Sequence, residues 1–292
     1  MIELLTALRP PFDGEYLMRS HKRIFRMLSE KSYTTIEKRI AVLGGVTTSG
    51  IVDMLRIFLL ADGIRAVFYE SDYGRFYEDG VYGNSELDAF RPEIVLVYTN
   101  ESNILEPLEA GASDEVRRKN LSDEFARWHK LWKCVQERYG AILVQNNFDL
   151  PAVASLGSLD GVSGRTSMVR TLNEKFAEYA RTHAAFYLHD LCSLSARIGL
   201  DHWHNRRQFH AYKLVPAYHC IPDVAWSIGA LIKAILGQMK KCLVLDLDDT
   251  LWGGVIGDVG VDGIELGHET ARGEAYLEVQ SYMRSLQQRG II

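Results

Sequence analysis

Short runs of branched apolar residues alternate along this chain with longer stretches in which apolar positions recur every three or four residues. Residues 39–43 (RIAVL) form the first run and end at Gly44-Gly45. Residues 51–61 (IVDMLRIFLLA) have helical spacing and stop at Asp62-Gly63. Further strands are predicted at 64–69, at 93–98 behind Arg91-Pro92, at 141–145 and at 184–188. Residues 121–139 carry Phe125, Trp128, Leu131, Trp132 and Val135 on one helical stripe, helical spacing resumes at 168–179, and Ile221-Pro222 opens a helix that runs to about 236. Strands of about six residues separated by helices predict βα units and a parallel sheet covered on both faces. Right-handed crossovers then bring residues 44–49, 99–102, 145–149 and 189–190 to one edge of the sheet, where a ligand crevice is expected.

The loop 156–165 is rich in Gly and Ser. The irregular stretch 200–220 holds four of the nine histidines together with Arg206, Arg207 and Lys213, either as a solvated basic loop or as one that faces an anion. His202 and His204 supply only two ligands in HxH spacing, with no paired cysteine nearby, which argues against zinc. Tyr69, Tyr73, Phe76, Tyr77 and Tyr82 read equally as an aromatic ligand surface or as a packed lid. A domain boundary is expected at 237–241, giving a helical arm over 1–38, an α/β domain over 39–236 and a second unit over 241–292.

Length and charge narrow the function classes. The 292 residues fit about two domains. With 33 Lys plus Arg against 38 Asp plus Glu, the net charge of -5 offers no bulk field for nucleic acid or an anionic membrane. No apolar run is long enough to span a bilayer, the start lacks the order of a secretory signal, and the four cysteines form no CxxC, so a cytoplasmic protein with reduced thiols is expected.

The strongest chemistry lies at residues 241–252, KCLVLDLDDTLW. An apolar strand is predicted to deliver Asp246 at its carboxyl end, with Asp248 two and Thr250 four residues on. One carboxylate there can attack phosphorus and ligate a hard divalent cation while the second serves as general acid and base. This segment, with its continuation through Trp252-Gly253-Gly254 and a Gly-rich flap, resembles the first motif of the haloacid-dehalogenase-like phosphotransferases. In particular it resembles the FkbH-like proteins of subfamily IIIC. The resemblance implies that Asp246 is nucleophile and Mg2+ ligand, that Asp248 is acid/base and also faces the metal, and that Thr250 braces the loop. It implies Mg2+-dependent action on a phosphorylated small molecule, with glyceryl transfer from a glyceryl phosphate to an acyl carrier protein as one form. The family's later Ser/Thr, Lys and acidic motifs are expected beyond residue 292, so the chain as written is expected to be truncated and inactive in that chemistry by itself. Its lone first strand is expected to pack on the first domain, to pair across a homodimer, or to be poorly ordered.

Residues 39 to 236 resemble the α/β domain that precedes the phosphotransferase in FkbH-like proteins, itself related in outline to the SGNH hydrolases. The fold implied is a parallel three-layer α/β/α domain (SGNH/flavodoxin-like) followed by the first βα portion of a haloacid-dehalogenase-like Rossmannoid domain. Gly44, Gly45 and Thr47 match the nucleophile block, Asn146 or Asn147 the oxyanion-side Asn, and Asp201 with His204 the late D-x-x-H block as orienter and base. The Gly-Asp-Ser of those hydrolases is missing, and Val46 or Thr47 stands at the Ser position. Three readings therefore stay open: an esterase or acyltransferase using Thr47, a non-catalytic domain that binds an acyl carrier or small molecule through Arg206, Arg207 and Lys213, or ordinary structure. In the last case residues 47–49 cap a helix and the two asparagines form a turn.

Overall fold

The computed structural model describes residues 6–30, 35–108 and 111–292. The chain divides into two compact units, Met1–Lys233 and Ala234–Ile292. The first begins with α1 (Gly14–Ser29), β1 (Ile36–Gly44), α2 (Ser49–Ala61), β2 (Ile64–Glu70), α3 (Phe76–Tyr82), α4 (Ser85–Phe90) and β3 (Ile94–Tyr98). It continues with α5 (Asp114–Tyr139), β4 (Ile142–Asn146), the single turn α6 (Asp160–Ser163), α7 (Arg165–Thr182) and β5 (Phe186–His189). Three short helices follow, α8 (Leu191–Ile198), α9 (Leu200–Trp203) and α10 (Arg206–Tyr212), then α11 (Ile221–Ile235). The stretch 200–220, read as irregular from sequence, thus holds two short helices. Asn205 starts the second by accepting from the Gln208 N–H at 3.0 Å.

All five strands are parallel in the order β2-β1-β3-β4-β5. The chain winds one way from β1 to β2 and the other way from β3 to β5, so a switch point lies between β1 and β3. β3 is buried along its whole length, as the branched, unalternating sequence IVLVY requires of a strand covered on both faces. One face packs Ala41, Leu43, Val95, Val97 and Leu143 against Trp128, Leu131, Trp132 and Val135 of α5 and Phe176 of α7. Within this layer Phe76 of α3 stacks on Trp128 at 5.6 Å between ring centroids, so that member of the Tyr69–Tyr82 group is core, whereas Tyr73 and Tyr82 are exposed. Gly80 lets α3 approach α5 closely, since a Cβ there would lie 2.3 Å from Leu131 Cδ1. α2 packs against β2, and α11 meets the sheet where Ser227 Oγ lies 2.9 Å from His189 Nε2.

The second unit contains α12 (Ile256–Val259) and α13 (Ala271–Gln288). The strand predicted at 241–246 does not form: the segment is extended coil, joined to the chain by Leu243 N–H to Ile292 O at 2.7 Å and Ile292 N–H to Lys241 O at 2.9 Å. A strand is a property of its neighbours, and among the described residues these backbone bonds to Ile292 do not amount to a ladder. No helix among the described residues is long and apolar enough to cross a membrane.

Candidate functional site

In the second unit, Asp246 is exposed and one of its carboxylate oxygens accepts from the Leu247 N–H at 2.9 Å. Asp248 is half-buried and its Oδ1 accepts from Trp252 Nε1 at 3.1 Å and from the Ile256 N–H at 3.2 Å. The turn between them and the flap is set by Asp249, whose φ of 50° is left-handed and whose carboxylate accepts from the Gly254 N–H at 2.8 Å and pairs with Arg272 at 3.1 Å. Thr250 continues the turn with its N–H on Leu247 O at 3.2 Å. Gly253 and Glu265 close the flap by exchanging backbone bonds of 2.9 and 2.8 Å. Asp246 and Asp248 each keep one oxygen without a hydrogen-bond partner among the described residues. These are hard oxygen donors of the kind Mg2+ takes alongside water. No group of three His, Cys, Asp or Glu poised for a metal occurs among the described residues.

In the first unit, a cavity of about 210 Å³ opens beyond the carboxyl ends of β3 and β4. Its wall combines Asn100 and Glu101 after β3, Pro151–Val153 after β4, Arg165 at the start of α7, and His204, Arg206, Phe209, Val215 and Pro216 from the histidine-rich stretch. Behind it Asp149 is fully buried; its Oδ2 accepts from Trp203 Nε1 at 2.8 Å and lies 3.8 Å from His204 Nε2. Burial pushes the Asp149 carboxyl up, against the pull of His204 and of the Trp203 hydrogen bond. Glu101 is likewise pushed up by burial and drawn back by its ion pair with Arg165. His204 Nε2 donates to Leu150 O at 2.9 Å, and its Nδ1 has no hydrogen-bond partner among the described residues. Four charged or titratable groups from separate loops therefore meet at one end of the sheet.

The family model described as FkbH, N-terminal domain, matches residues 39–233. The chain belongs to this FkbH family. No curated protein matches it. Among solved structures, it is similar to the N-terminal part of protein BF1531 from Bacteroides fragilis, described as containing a phosphatase domain and complexed with Mg. The TM-score is 0.81 at 23% identity, over 93% of this chain and 72% of that one, a likeness of fold. The catalytic domain of the peptidoglycan O-acetyltransferase A of Streptococcus pneumoniae also matches, at TM-score 0.40 and 13% identity over 70% of this chain and 94% of that one. The esterase EstA of Pseudoalteromonas sp. matches at TM-score 0.41 and 16% identity, over 68% and 99%.

Several residues singled out in the sequence have other employment in this FkbH domain. The Thr47 hydroxyl donates to Tyr212 O at 2.6 Å, and no hydrogen bond joins it to His204. Asp201 is exposed on α9, and the carboxylate facing the His204 ring is that of Asp149. Asn146 spends its amide on β3, accepting from Thr99 N–H at 2.9 Å and donating to Thr99 O and Asn147 O at 2.6 Å each. Asn147 donates to Asp190 at 2.8 Å and accepts from Cys192 N–H at 2.9 Å, so Asn146 has both amide N–H groups committed and Asn147 one of its two. Gly44 donates its N–H to Ser71 Oγ at 3.1 Å, and Gly45 admits Asn103, whose Nδ2 donates to Gly45 O at 3.0 Å and whose side chain lies 2.5 Å from where a Cβ would sit. Thr48 precedes α2 without capping it, because its hydroxyl goes to Glu70 at 3.1 Å. Arg206 and Arg207 are exposed and pair with nothing among the described residues, and Lys213 lies 5.3 Å over the Phe209 ring. The sequence reading put 99–102 and 145–149 at the crevice edge without singling out Glu101 or Asp149, and it missed Arg165, which enters from the start of α7.

Proposed function

We propose that this chain serves Mg2+-dependent phosphoryl transfer, with Asp246 as the attacking carboxylate, Asp248 as acid and base, and the FkbH domain holding a reaction partner in its crevice. The observation that supports this most is the split between the two carboxylates: Asp248 is oriented by Trp252 and Ile256 while Asp246 stands exposed with a free oxygen. In the proposed step an Asp246 oxygen bonds to phosphorus as the bond from phosphorus to the leaving oxygen breaks, and Asp248 gives that oxygen its proton. Thr250 holds the turn that carries both. Asp246 and Asp248 would hold Mg2+, which when bound neutralises charge on the phosphoryl oxygens. The relation to the haloacid-dehalogenase-like subfamily IIIC, and glyceryl transfer to an acyl carrier protein, are the finer form of this reading, in a cytoplasmic setting that suits four free thiols. Homodimer pairing of the segment 241–246 belongs to the same reading. The test is phosphate release from small phosphate esters by the full-length gene product. Release should need Mg2+ and vanish in Asp246→Asn; activity surviving that substitution overturns the assignment.

For the FkbH domain, binding is favoured over hydrolysis by an enzyme nucleophile. Its shared outline with the SGNH hydrolases would supply the crevice, while the commitment of the Thr47 hydroxyl to Tyr212 O takes the nucleophile expected from sequence away from His204. Arg206, Arg207 and Lys213 supply a basic margin for an acyl carrier or the phosphate of a small molecule.

A further inference from the structure

The arrangement around His204 says more about what the crevice accepts. Its Nε2 proton is directed to Leu150 O at 2.9 Å, with Asp149 Oδ2 3.8 Å away, and this fixes the tautomer. Nδ1 is then an acceptor, and His204 lines a cavity of about 210 Å³. Two hydroxyls near the strand ends already donate elsewhere: Thr47 to Tyr212 O, and Ser102 to Asn100 Oδ1 at 2.6 Å. Cationic ligands are disfavoured by Arg165 and Arg206 in the wall, and Glu101 is already answered by Arg165. What the imidazole lacks is a neutral donor, and the apolar wall of Phe209, Val215 and Pro216 suits a ligand whose remainder is apolar.

We propose that the crevice binds its ligand through a hydroxyl or thiol that donates to His204 Nδ1, with Asp149 as the positioning residue that holds the ring from behind. The Asp149 carboxylate reaches the ring from the β4 end, and Trp203 steadies it through Oδ2. A proton moving from the ligand to Nδ1 would break the O–H or S–H bond, leave the electron pair on that oxygen or sulfur, and create an imidazolium facing Asp149. The crevice is in this account a place where a ligand supplies the nucleophile that the protein does not. It rests on the reading of the FkbH domain as ligand-holding, and its test does not involve phosphate release, so the two fail separately.

The experiment uses the whole chain labelled with 15N-histidine, and the ring-nitrogen spectrum of His204 is assigned with His204→Gln. The free protein should show the Nε2–H tautomer. Benzyl alcohol and benzyl mercaptan are then titrated against their capped twins, benzyl methyl ether and benzyl methyl sulfide. The alcohol or the thiol, whichever class the site prefers, should move the Nδ1 resonance and bind about tenfold more tightly than its twin, the size expected of one hydrogen bond. In Asp149→Asn the fold should persist while that preference shrinks and the ring populates both tautomers. An Nδ1–H tautomer in the free protein, equal binding of the capped twins, or no response to any of the four overturns the proposal.

Discussion

His189 at the end of β5 makes acid sensitivity of the FkbH domain measurable at one residue. The ring is buried, its Nε2 meets Ser227 Oγ at 2.9 Å and its Nδ1 has no partner among the described residues. Burial depresses its pKa from 6.5 to about 4, with the neighbouring Asp190 pulling weakly the other way. Above pH 6.5 both folded and unfolded chains hold the ring neutral, and the titration contributes nothing. As pH falls below that value the unfolded chain takes up a proton that the folded one refuses, so stability is lost until about pH 4, where both are charged. Linkage puts the loss between pH 7 and pH 5 at about 2 kcal/mol and the full loss at about 3 kcal/mol. His189→Gln keeps an amide beside Ser227 and removes the titration. Urea unfolding followed by the fluorescence of the buried Trp128 and Trp132 at the two pH values should show the wild type losing about 2 kcal/mol more than the variant. Other buried groups titrate in the same range but are common to both chains and cancel in the difference. Equal losses in the two proteins would refute the account of His189.

Two further outcomes follow from packing and charge. Gly80→Ala drives a Cβ into Leu131, which is fully buried and hemmed in by the α5 core, so the urea midpoint should drop by the equivalent of about 1–3 kcal/mol; an unchanged midpoint would show that α3 can shift. Arg206→Glu with Arg207→Glu should leave unfolding unchanged, since both side chains are exposed and unpaired, while capture of a pantetheinylated carrier protein falls; undiminished capture would remove these residues from the docking surface.

Local pattern settled much of this protein. Each of the five strands and the long helix α5 is written in runs of apolar residues and their spacing, because a buried parallel strand and an amphipathic helix are made by residues adjacent in sequence. The parallel connectivity followed as well, since helical segments between strands leave few other ways to wind the chain, and so did the sheet edge where the crevice lies. The side-chain pairings at that edge were not legible. His204 is joined to Asp149 and Leu150 across more than fifty residues, rather than to Asp201 three positions before it, because the loops after β4 and α9 meet there. Thr47, Asn146 and Asn147 carry the residue types of a catalytic block, yet the tertiary structure spends their hydrogen bonds on Tyr212, Thr99 and Asp190. At 241–246 the apolar pattern of a strand is present, yet the segment is coil that exchanges backbone bonds with Ile292, because a strand also needs a partner that local pattern does not supply. Apolar periodicity is decided residue by residue along the chain. The partner of a polar group is decided by which distant segments the fold brings within three ångströms of it.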